Sequence, residues 1–207
     1  MLNGYYVAKF EKVSLEQFKK DMKNDIGDKL ILFKIAANYS DILKWNFDTL
    51  KLKNESDFDL FCEQIYERIK IPSRATYESA GYDFYMPFSI DLTKHDTIII
   101  PTGIRCSMVP GYSLDIYPKS GLGFKHNLKI ANTVGIIDSD YYSSSNEGHI
   151  KVKLDNAGFY SSSESGIVNL PEGKSFVQGI FHEVFFAAND EDNKDLKKRD
   201  GGFGSTN

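Results

Sequence analysis

Two carboxylates come directly after a short run of β-branched residues in the middle of the chain. Asp138 and Asp140 lie near the end of the segment Asn132-Thr-Val-Gly-Ile-Ile-Asp138-Ser-Asp140-Tyr141. Because β-branched residues favour strands, the segment predicts a buried strand that ends in acids. Side chains on such a rigid support can hold a water molecule or a metal ion in fixed geometry. The pair alone decides nothing, since Asp-Ser-Asp is also common in solvated turns.

Residues elsewhere in the chain would complete a site for a nucleoside triphosphate. Such a ligand carries about four negative charges, so its hydrolysis needs a divalent cation, positive donors for the phosphates and a positioned water. Asp83 supplies a further carboxylate. The cationic donors are Lys119, Lys198 and Arg199. Small residues such as Ser120 and Gly121 offer hydroxyl and backbone N–H groups that can approach phosphate oxygens closely. The sequence contains no Gly-x-x-x-x-Gly-Lys, so the phosphate cradle must come from separate segments.

Five short stretches that carry these residues follow one another in a fixed order. They are Ser79-Ala-Gly-Tyr-Asp83, Tyr117-Pro-Lys119-Ser-Gly-Leu122, the segment that contains Asp138, Gly173-Lys-Ser-Phe-Val-Gln178-Gly179, and Arg199-Asp-Gly-Gly-Phe203-Gly-Ser-Thr206. Together they resemble the five ordered motifs of the homotrimeric, all-β dUTPases. The resemblance spans about two-thirds of the chain, and five matches in order are far more specific than one.

For the phosphate end of the site, the resemblance implies the following roles. Asp83 would hold Mg²⁺, partly through water, and this ion would bridge the triphosphate. Lys119, Ser120 and Gly121 would contact phosphates, and Gln178 would reach a phosphate from the fourth motif. Asp138 would orient the water that attacks the α-phosphorus and accept its proton. The products would be dUMP and pyrophosphate.

For the nucleoside and the tail, the resemblance implies a second set of contacts. Asn132 and the backbone around Gly135 and Ile137 would bind the uracil edge in a hairpin pocket too tight for a 5-methyl group. Tyr141 would pack against the deoxyribose and leave no room for a 2′-hydroxyl. The remaining contacts would come from the tail residues Lys198, Arg199, Phe203, Gly204, Ser205 and Thr206. Phe203 would stack over the uracil, either Lys198 or Arg199 would bind the γ-phosphate, and three subunits of a homotrimer would share each site.

The organisation of the chain suits a mainly β protein of the dUTPase-like jelly-roll or β-barrel type. Residues 1–70 predict a helix-rich extension, with a capping-box spacing from Ser14 to Gln17 and a second helix start at Ser56. Residues 71–188 predict the β core. Its short β-rich runs are residues 84–90, 97–101, 104–108, 114–117, 150–154, 166–170 and 175–184. Residues 189–207 are polar and glycine-rich, which predicts a mobile tail that closes over the site.

Composition excludes several other classes of protein. The formal net charge of −4 creates no basic field, so a nucleic-acid polymer is not an expected partner. Apolar residues make up 41% of the chain, enough for a core. No apolar run approaches about 20 residues and the start lacks a signal-peptide pattern, so we expect no membrane partner. Cys62 and Cys106 lie in no metal or disulfide spacing, which favours buried thiols and a cytoplasmic protein.

Four features depart from the family pattern. Lys119 stands where arginine is usual, which keeps the charge but loses the two-pronged contact. Lys174 and Ser175 replace the usual Asp-Arg pair of the fourth motif. The spacing from Arg199 to the glycines before Phe203 is one residue short. Residues 142–148 lengthen the segment after Tyr141, which we interpret as an inserted loop at the rim of the site.

Two other functions share this sequence pattern. A dCTP deaminase has the same fold, but its catalytic glutamate would fall at Lys153, which disfavours deamination. A non-catalytic nucleotide sensor or protein-binding module on the same fold would suit Lys119, the altered fourth motif and the N-terminal extension. Pyrophosphate release from dUTP, but not from dCTP or dTTP, would distinguish dUTP hydrolysis from both of these functions.

Overall fold

The computed structural model describes residues 6–27, 35, 55–157 and 166–192 of the 207-residue chain. Its strands are β1 (Ala8–Lys12), β2 (Tyr82–Tyr85), β3 (Ile90–Leu92), β4 (Thr97–Pro101), β5 (Ile104–Met108), β6 (Tyr112–Pro118), β7 (Leu128–Ile130), β8 (Gly135–Asp138), β9 (Lys151–Asn156), β10 (Val168–Leu170) and β11 (Ser175–Glu183). Its α-helices are α1 (Leu15–Ile26), α2 (Glu55–Arg68) and α3 (Ser120–His126), and short 3₁₀ helices cover Ser139–Ser143 and Ala188–Asp192.

The strands form small antiparallel sheets rather than one large one. One sheet has the order β2-β11-β6-β8 and another the order β4-β9-β7, while β10 pairs with β3 and β1 pairs with β5. Strands of three to nine residues linked by tight turns are typical of jelly-roll and barrel folds. The predicted mainly β architecture is therefore confirmed.

The core lies between these sheets and extends under the two N-terminal helices. Large buried side chains include Phe84 and Phe176 from the strands, and Phe18 of α1 and Phe61 of α2 belong to the same apolar cluster. Each helix buries residues at spacings of three and four, as a one-sided helix must. The N-terminal helices thus share the core of the β domain.

Helix α1 begins as the capping spacing predicts. The Ser14 hydroxyl accepts a hydrogen bond from the Gln17 backbone N–H at 3.1 Å. The Gln17 side chain does not complete a capping box, because it donates to Asp21 Oδ2 at 2.6 Å. Glu147, far along the chain, takes its place and accepts from the Ser14 backbone N–H at 2.7 Å.

Some predicted features differ from the structure or fall outside its described part. Strands β1 and β7 and helix α3 have no counterpart among the predicted elements. Ser144, in the segment interpreted as an inserted loop at the rim, is buried, and its hydroxyl bonds to Tyr141 and Asn146. Between residues 28 and 54 only Ile35 is described, and it is buried. Residues 39–52 and the tail from residue 193 lie outside the described ranges. None of the helices in these ranges combines the length and apolar character needed to cross a bilayer.

A buried carboxylate joins α1 to the β core. Asp21 receives hydrogen bonds from Gln17, from the His149 ring at 2.6 Å and from the Lys151 ammonium at 2.7 Å. Burial alone would raise the pKa of Asp21, but the hydrogen bonds from His149, Lys151 and Gln17 outweigh it and lower the pKa from 3.8 to about 2. The charged form is therefore strongly favoured in the folded protein.

This low pKa predicts a loss of stability in acid. A carboxyl group whose pKa falls on folding stabilises the folded state above its unfolded pKa of 3.8, and that contribution disappears as pH drops toward 2. We expect about 2 kcal/mol of the free energy of unfolding to depend on Asp21 in this range. Denaturant titrations from pH 6 to pH 2.5 should show a shallower loss for Asp21→Asn than for the unaltered chain. Glu78→Gln, at an exposed acid, serves as the control. Equal slopes for all three proteins would contradict the prediction.

Candidate active site

One face of the four-stranded sheet carries three of the residues with predicted chemistry. Asp83 on β2 lies directly opposite Gln178 on β11, and Gln178 lies opposite Tyr117 on β6. Ser113, four residues before Tyr117, lies opposite Asp138 on β8. Directly paired residues and residues two or four apart on a strand share a face. The register therefore puts Asp83, Gln178 and Asp138 on the same face of the sheet, while Leu114 and Val177 on the other face enter the core.

Asp83 and Lys119 form an ion pair at one end of this face. Lys119 Nζ lies 2.7 Å from Asp83 Oδ1, and the Asp83 side chain is 11% exposed. The backbone of Asp83 exchanges hydrogen bonds with Ser73, which ties the end of β2 to the preceding segment. A carboxylate and an ammonium group are thus held together, partly open to solvent, beside Gln178.

Gly81 allows the Gln178 side chain to lie against the start of β2. A Cβ atom at position 81 would come within 2.8 Å of Gln178 Oε1. Any larger residue there would displace the amide of Gln178, which is paired with Asp83 across the two strands. Sequence reasoning did not assign Gly81 a role, although its position in the first motif was a usable signal.

Asp138 lies at the other end of the same face. It is exposed and ends β8, which pairs only with β6 among the described strands. The prediction of a buried strand is wrong, because β8 lies at the edge of its sheet and its residue Ile136 is 62% exposed. On β6, the partner of Asp138 is Ser113 and the partner of Gln178 is Tyr117. These partners are four positions apart, so Asp138 and Gln178 lie about 13 Å apart along the strand direction.

Tyr141 follows Asp138 in the 3₁₀ helix Ser139–Ser143 and is buried, with 4% of its surface exposed. Its hydroxyl donates to the His149 carbonyl oxygen at 2.9 Å and receives a hydrogen bond from Asn146 Nδ2 at 2.7 Å. These bonds fix the ring direction within the chain. Contact between the ring edge and a sugar stays a prediction.

The predicted uracil-binding segment forms a tight turn between two sheets. Strand β7 pairs with β9, whereas β8 pairs with β6, so the connection is a corner between two sheets, and its role as a uracil pocket stays a prediction. Thr133 takes a positive φ of 67° within the turn. Asn132 is exposed, and its Nδ2 atom would lie 3.9 Å from a Cβ added at Gly135. Ile137 is half-buried on the adjoining strand.

Ser120 and Gly121 lie in the first turn of α3, directly after Lys119. Both are exposed, and the first backbone N–H groups of a helix have no partner within the helix. The tail residues with predicted roles lie outside the described part of the chain. These are Lys198, Arg199, Phe203, Gly204, Ser205 and Thr206.

Comparison with known proteins identifies the family. Residues 67–207 match the profile of the dUTPase family, which is more than half of the chain. The chain belongs to the dUTPase family. The residues before position 67 lie outside the match, and the predicted boundaries after residues 70 and 188 remain predictions.

Individual dUTPases agree with this assignment. The deoxyuridine 5′-triphosphate nucleotidohydrolase of Lactococcus lactis subsp. lactis is 37% identical over 139 residues, covering 67% of this chain and 88% of the relative. The nucleotidohydrolase of Wolinella succinogenes is 31% identical over 145 residues, covering 69% and 90%. The crystal structure of dUTPase from Streptococcus mutans superposes with a TM-score of 0.50 at 30% identity, covering 58% of this chain and 90% of that one. The predicted enzyme class, a nucleotidohydrolase of the dUTPase family, is confirmed.

The carboxylates in the described part of this dUTPase-family chain do not form a metal cage by themselves. Among the residues that the structure describes, no group of three or more His, Cys, Asp or Glu side chains could hold a metal ion. Mg²⁺ is usually held by one or two carboxylates together with waters and substrate phosphates. Asp83 alone, with Lys119 against one of its oxygens, fits an ion that arrives with a triphosphate.

The open space at Gly121 leads to a prediction. A Cβ atom there would meet no described atom within 4 Å, so Gly121→Ala should fold normally. If the space is needed for phosphate oxygens, the methyl group should lower kcat/KM for dUTP about tenfold, mainly through KM. Steady-state kinetics with unfolding curves would test this. Gly123→Ala is the matched control, because a Cβ there also meets nothing within 4 Å. Equal kinetics for the two variants would remove Gly121 from the phosphate site.

Proposed function

We propose that this enzyme hydrolyses dUTP to dUMP and pyrophosphate in sites shared between subunits of a homotrimer. The observation that carries the proposal is the Asp83–Lys119 ion pair beside Gln178 at one end of a sheet face, with Asp138 exposed at the other end of that face, where a second copy could use it. Acids, a cation and an amide on one face match the demands of phosphoryl transfer, where charge neutralisation and positioning dominate. Family membership gives the substrate class.

The phosphate end of the substrate would lie over the Asp83–Lys119 pair. Lys119 would turn from Asp83 toward the phosphates, with Ser120, Gly121 and Gln178 as further donors. Asp83 would hold Mg²⁺, partly through water, and the ion would neutralise charge on the triphosphate oxygens. The lysine in place of the usual arginine offers one charged donor group, so its orientation depends on its neighbours.

Asp138 would act on the attacking water. Its carboxylate would accept a hydrogen bond from the water, orient it toward the α-phosphorus and take its proton as the P–O bond forms. The pyrophosphate group would leave from the opposite side. The exposed position of Asp138 at the end of an edge strand supports this role, because a ligand bound to a neighbouring copy could reach it.

The nucleoside would be recognised by the turn before β8. Asn132 and the backbone near Gly135 and Ile137 would hydrogen-bond the uracil edge, and Tyr141 would close the space beside C2′ of the deoxyribose. A buried ring held by two hydrogen bonds is well suited to exclude a hydroxyl group by shape. Phe203 would stack over the base. Gly204, Ser205 and Thr206 would assist, and Lys198 or Arg199 would bind the γ-phosphate.

Sharing between subunits explains the separation of the two ends of the sheet face. Asp138 lies about 13 Å along the strand from Gln178 in its own chain, so the Asp138 of a second copy is the better candidate to complete each site. Exposed apolar side chains support assembly. Phe185 is 84% exposed and Phe186 is 76% exposed, one residue beyond the end of β11. Clustered exposed aromatic residues mark protein–protein contacts. The free thiols Cys62 and Cys106 suit a cytoplasmic enzyme.

Turnover of a nucleotide panel tests the proposal. Pyrophosphate release should occur with dUTP and Mg²⁺, should be negligible with dCTP and dTTP, and should be far slower but measurable with UTP. Ammonia release from dCTP would instead indicate a deaminase, although the exposed Lys153 stands at the position of its catalytic glutamate. Tight dUTP binding without turnover would indicate a sensor.

A further inference from the structure

The loop of residues 142–149 follows the predicted catalytic segment in the chain and contacts helix α1 of the N-terminal extension. This loop begins directly after Tyr141 and ends at β9. We infer that helix α1 is a positioning element for Tyr141, which it holds through this loop, and that it thereby sets how strictly the enzyme rejects a 2′-hydroxyl group. The inference rests on the proposed function, because it assigns Tyr141 to the sugar.

The first connection lies at the outer end of the loop. Glu147 accepts two hydrogen bonds from Ser14, from the backbone N–H at 2.7 Å and from the hydroxyl at 2.6 Å. Ser14 caps α1, so the loop carboxylate lies at the helix N-terminus, where negative charge is favoured. Glu147 itself has a positive φ of 59°, a conformation that neighbouring contacts must maintain. A two-point contact of this kind fixes both the position and the direction of the loop.

The second connection is buried. The ring of His149 is fully buried, with Nδ1 2.6 Å from Asp21 Oδ2 of α1. The backbone N–H of Gly103 donates to Nε2 at 2.8 Å, so Nε2 is the acceptor and the proton lies on Nδ1, which donates to Asp21. Helix α1 and the β4–β5 turn therefore fix this ring from both sides.

The third connection reaches Tyr141. His149, whose ring is fixed by Asp21, also accepts a hydrogen bond from the Tyr141 hydroxyl at its carbonyl oxygen, at 2.9 Å. On the loop side, Asn146 donates to the same hydroxyl, and the Ser144 hydroxyl donates to the Tyr141 carbonyl oxygen at 2.7 Å. The path from α1 to Tyr141 thus consists of Asp21, His149 and the Tyr141 hydroxyl, all buried.

The geometry ties α1 to specificity as well as to stability. A hydroxyl group is excluded only if the group beside it cannot move away, and displacement of a positioning group by about 1 Å can change rates strongly. Loss of folded enzyme lowers the rates with dUTP and UTP by the same factor. Displacement of Tyr141 lowers the ratio of the two rates, because UTP gains access while dUTP loses contact.

The experiment compares kcat/KM for dUTP and UTP in three variants of the full chain. Asp21→Asn removes the charge that holds His149, and Glu147→Ala removes both contacts with Ser14 and the pairing with Arg105 at a part-exposed site. Asp25→Asn is the matched control. Asp25 lies one turn further along α1 and pairs with Lys151 at 2.9 Å, which also pairs with Asp21.

We expect the dUTP/UTP ratio to fall about tenfold in Asp21→Asn and about threefold in Glu147→Ala, and to stay within about twofold in Asp25→Asn. If Asp21→Asn and Glu147→Ala both keep the dUTP/UTP ratio of the unaltered chain, even with lower rates, the inference is overturned. The proposed hydrolysis of dUTP would still stand. An equal fall in the Asp25→Asn control would overturn it too. If the unaltered chain fails to hydrolyse dUTP, the proposed function itself is wrong.

Discussion

Replacement of Asp138 by asparagine should lower kcat for dUTP hydrolysis by about a thousandfold and leave nucleotide affinity nearly unchanged. Asparagine has almost the same shape but cannot accept a proton from water, and loss of a general base typically costs a factor of about a hundred to ten thousand. Because Asp138 is exposed at the end of an edge strand, the substitution leaves the core intact. Steady-state kinetics and calorimetry with a non-hydrolysable dUTP analogue would separate turnover from binding.

The matched control for this variant is Asp91→Asn. Asp91 lies on β3, in the sheet formed with β10, and accepts a hydrogen bond from Asn169. Its loss removes one surface carboxylate without touching the shared face of the four-stranded sheet. A near-normal kcat for Asp138→Asn, or an equal loss in the Asp91 variant, would remove Asp138 from the water-activating role.

The second large effect is expected at Lys119. Removal of its charged donor in Lys119→Ala should lower kcat/KM for dUTP by about a hundredfold, since one preorganised donor to a developing negative charge is worth about two to three orders of magnitude. The Asp83 carboxylate, only 11% exposed, would also lose its partner, so we expect about 1 kcal/mol lower stability. Kinetics corrected for the folded fraction would check both effects.

Lys129→Ala is the control for loss of a lysine charge. Lys129 is exposed on β7, in the sheet with β9, and has no predicted contact with substrate. If Lys119→Ala keeps its activity once the folded fraction is taken into account, Lys119 serves only to pair with Asp83. The phosphate end of the proposed site would then be wrong.

Local features of the fold were predictable because their causes are local. The Ser14 cap follows from a hydroxyl three residues before an N–H donor, and the capping bond is present. The bounds of β4 and β5 follow from β-rich runs that glycine or proline turns interrupt. In these cases the residues that determine the local structure are close neighbours in the sequence.

Other elements depend on distant parts of the chain and could not be predicted. Helix α3 contains Gly121 and Gly123, which disfavour helices in isolation, so tertiary contacts such as the burial of Leu122 decide its conformation. Strand β1 forms because β5 offers an edge to pair with. The opposition of Asp83 and Gln178 depends on strand register between segments almost a hundred residues apart, which no local pattern fixes.

The most informative feature of the candidate site was also out of reach of the sequence. The extra residues after Tyr141 read as an inserted loop at the rim, and nothing in their types indicates their partners. Their contacts with Ser14 and Asp21 arise only when α1 packs on β4. Buried His149 shows the same point, since nothing in the sequence indicates that its partner lies on α1.

Co-expression of the Asp138→Asn and Lys119→Ala chains tests the shared site most directly. If Lys119 of one copy works with Asp138 of another, random mixed trimers should contain intact sites, and the mixture should show about a quarter of the unaltered rate although each variant alone is nearly inactive. If the two residues serve a site within one chain, no mixed trimer contains an intact site. A mixture no more active than the sum of the two separate variants would contradict the account.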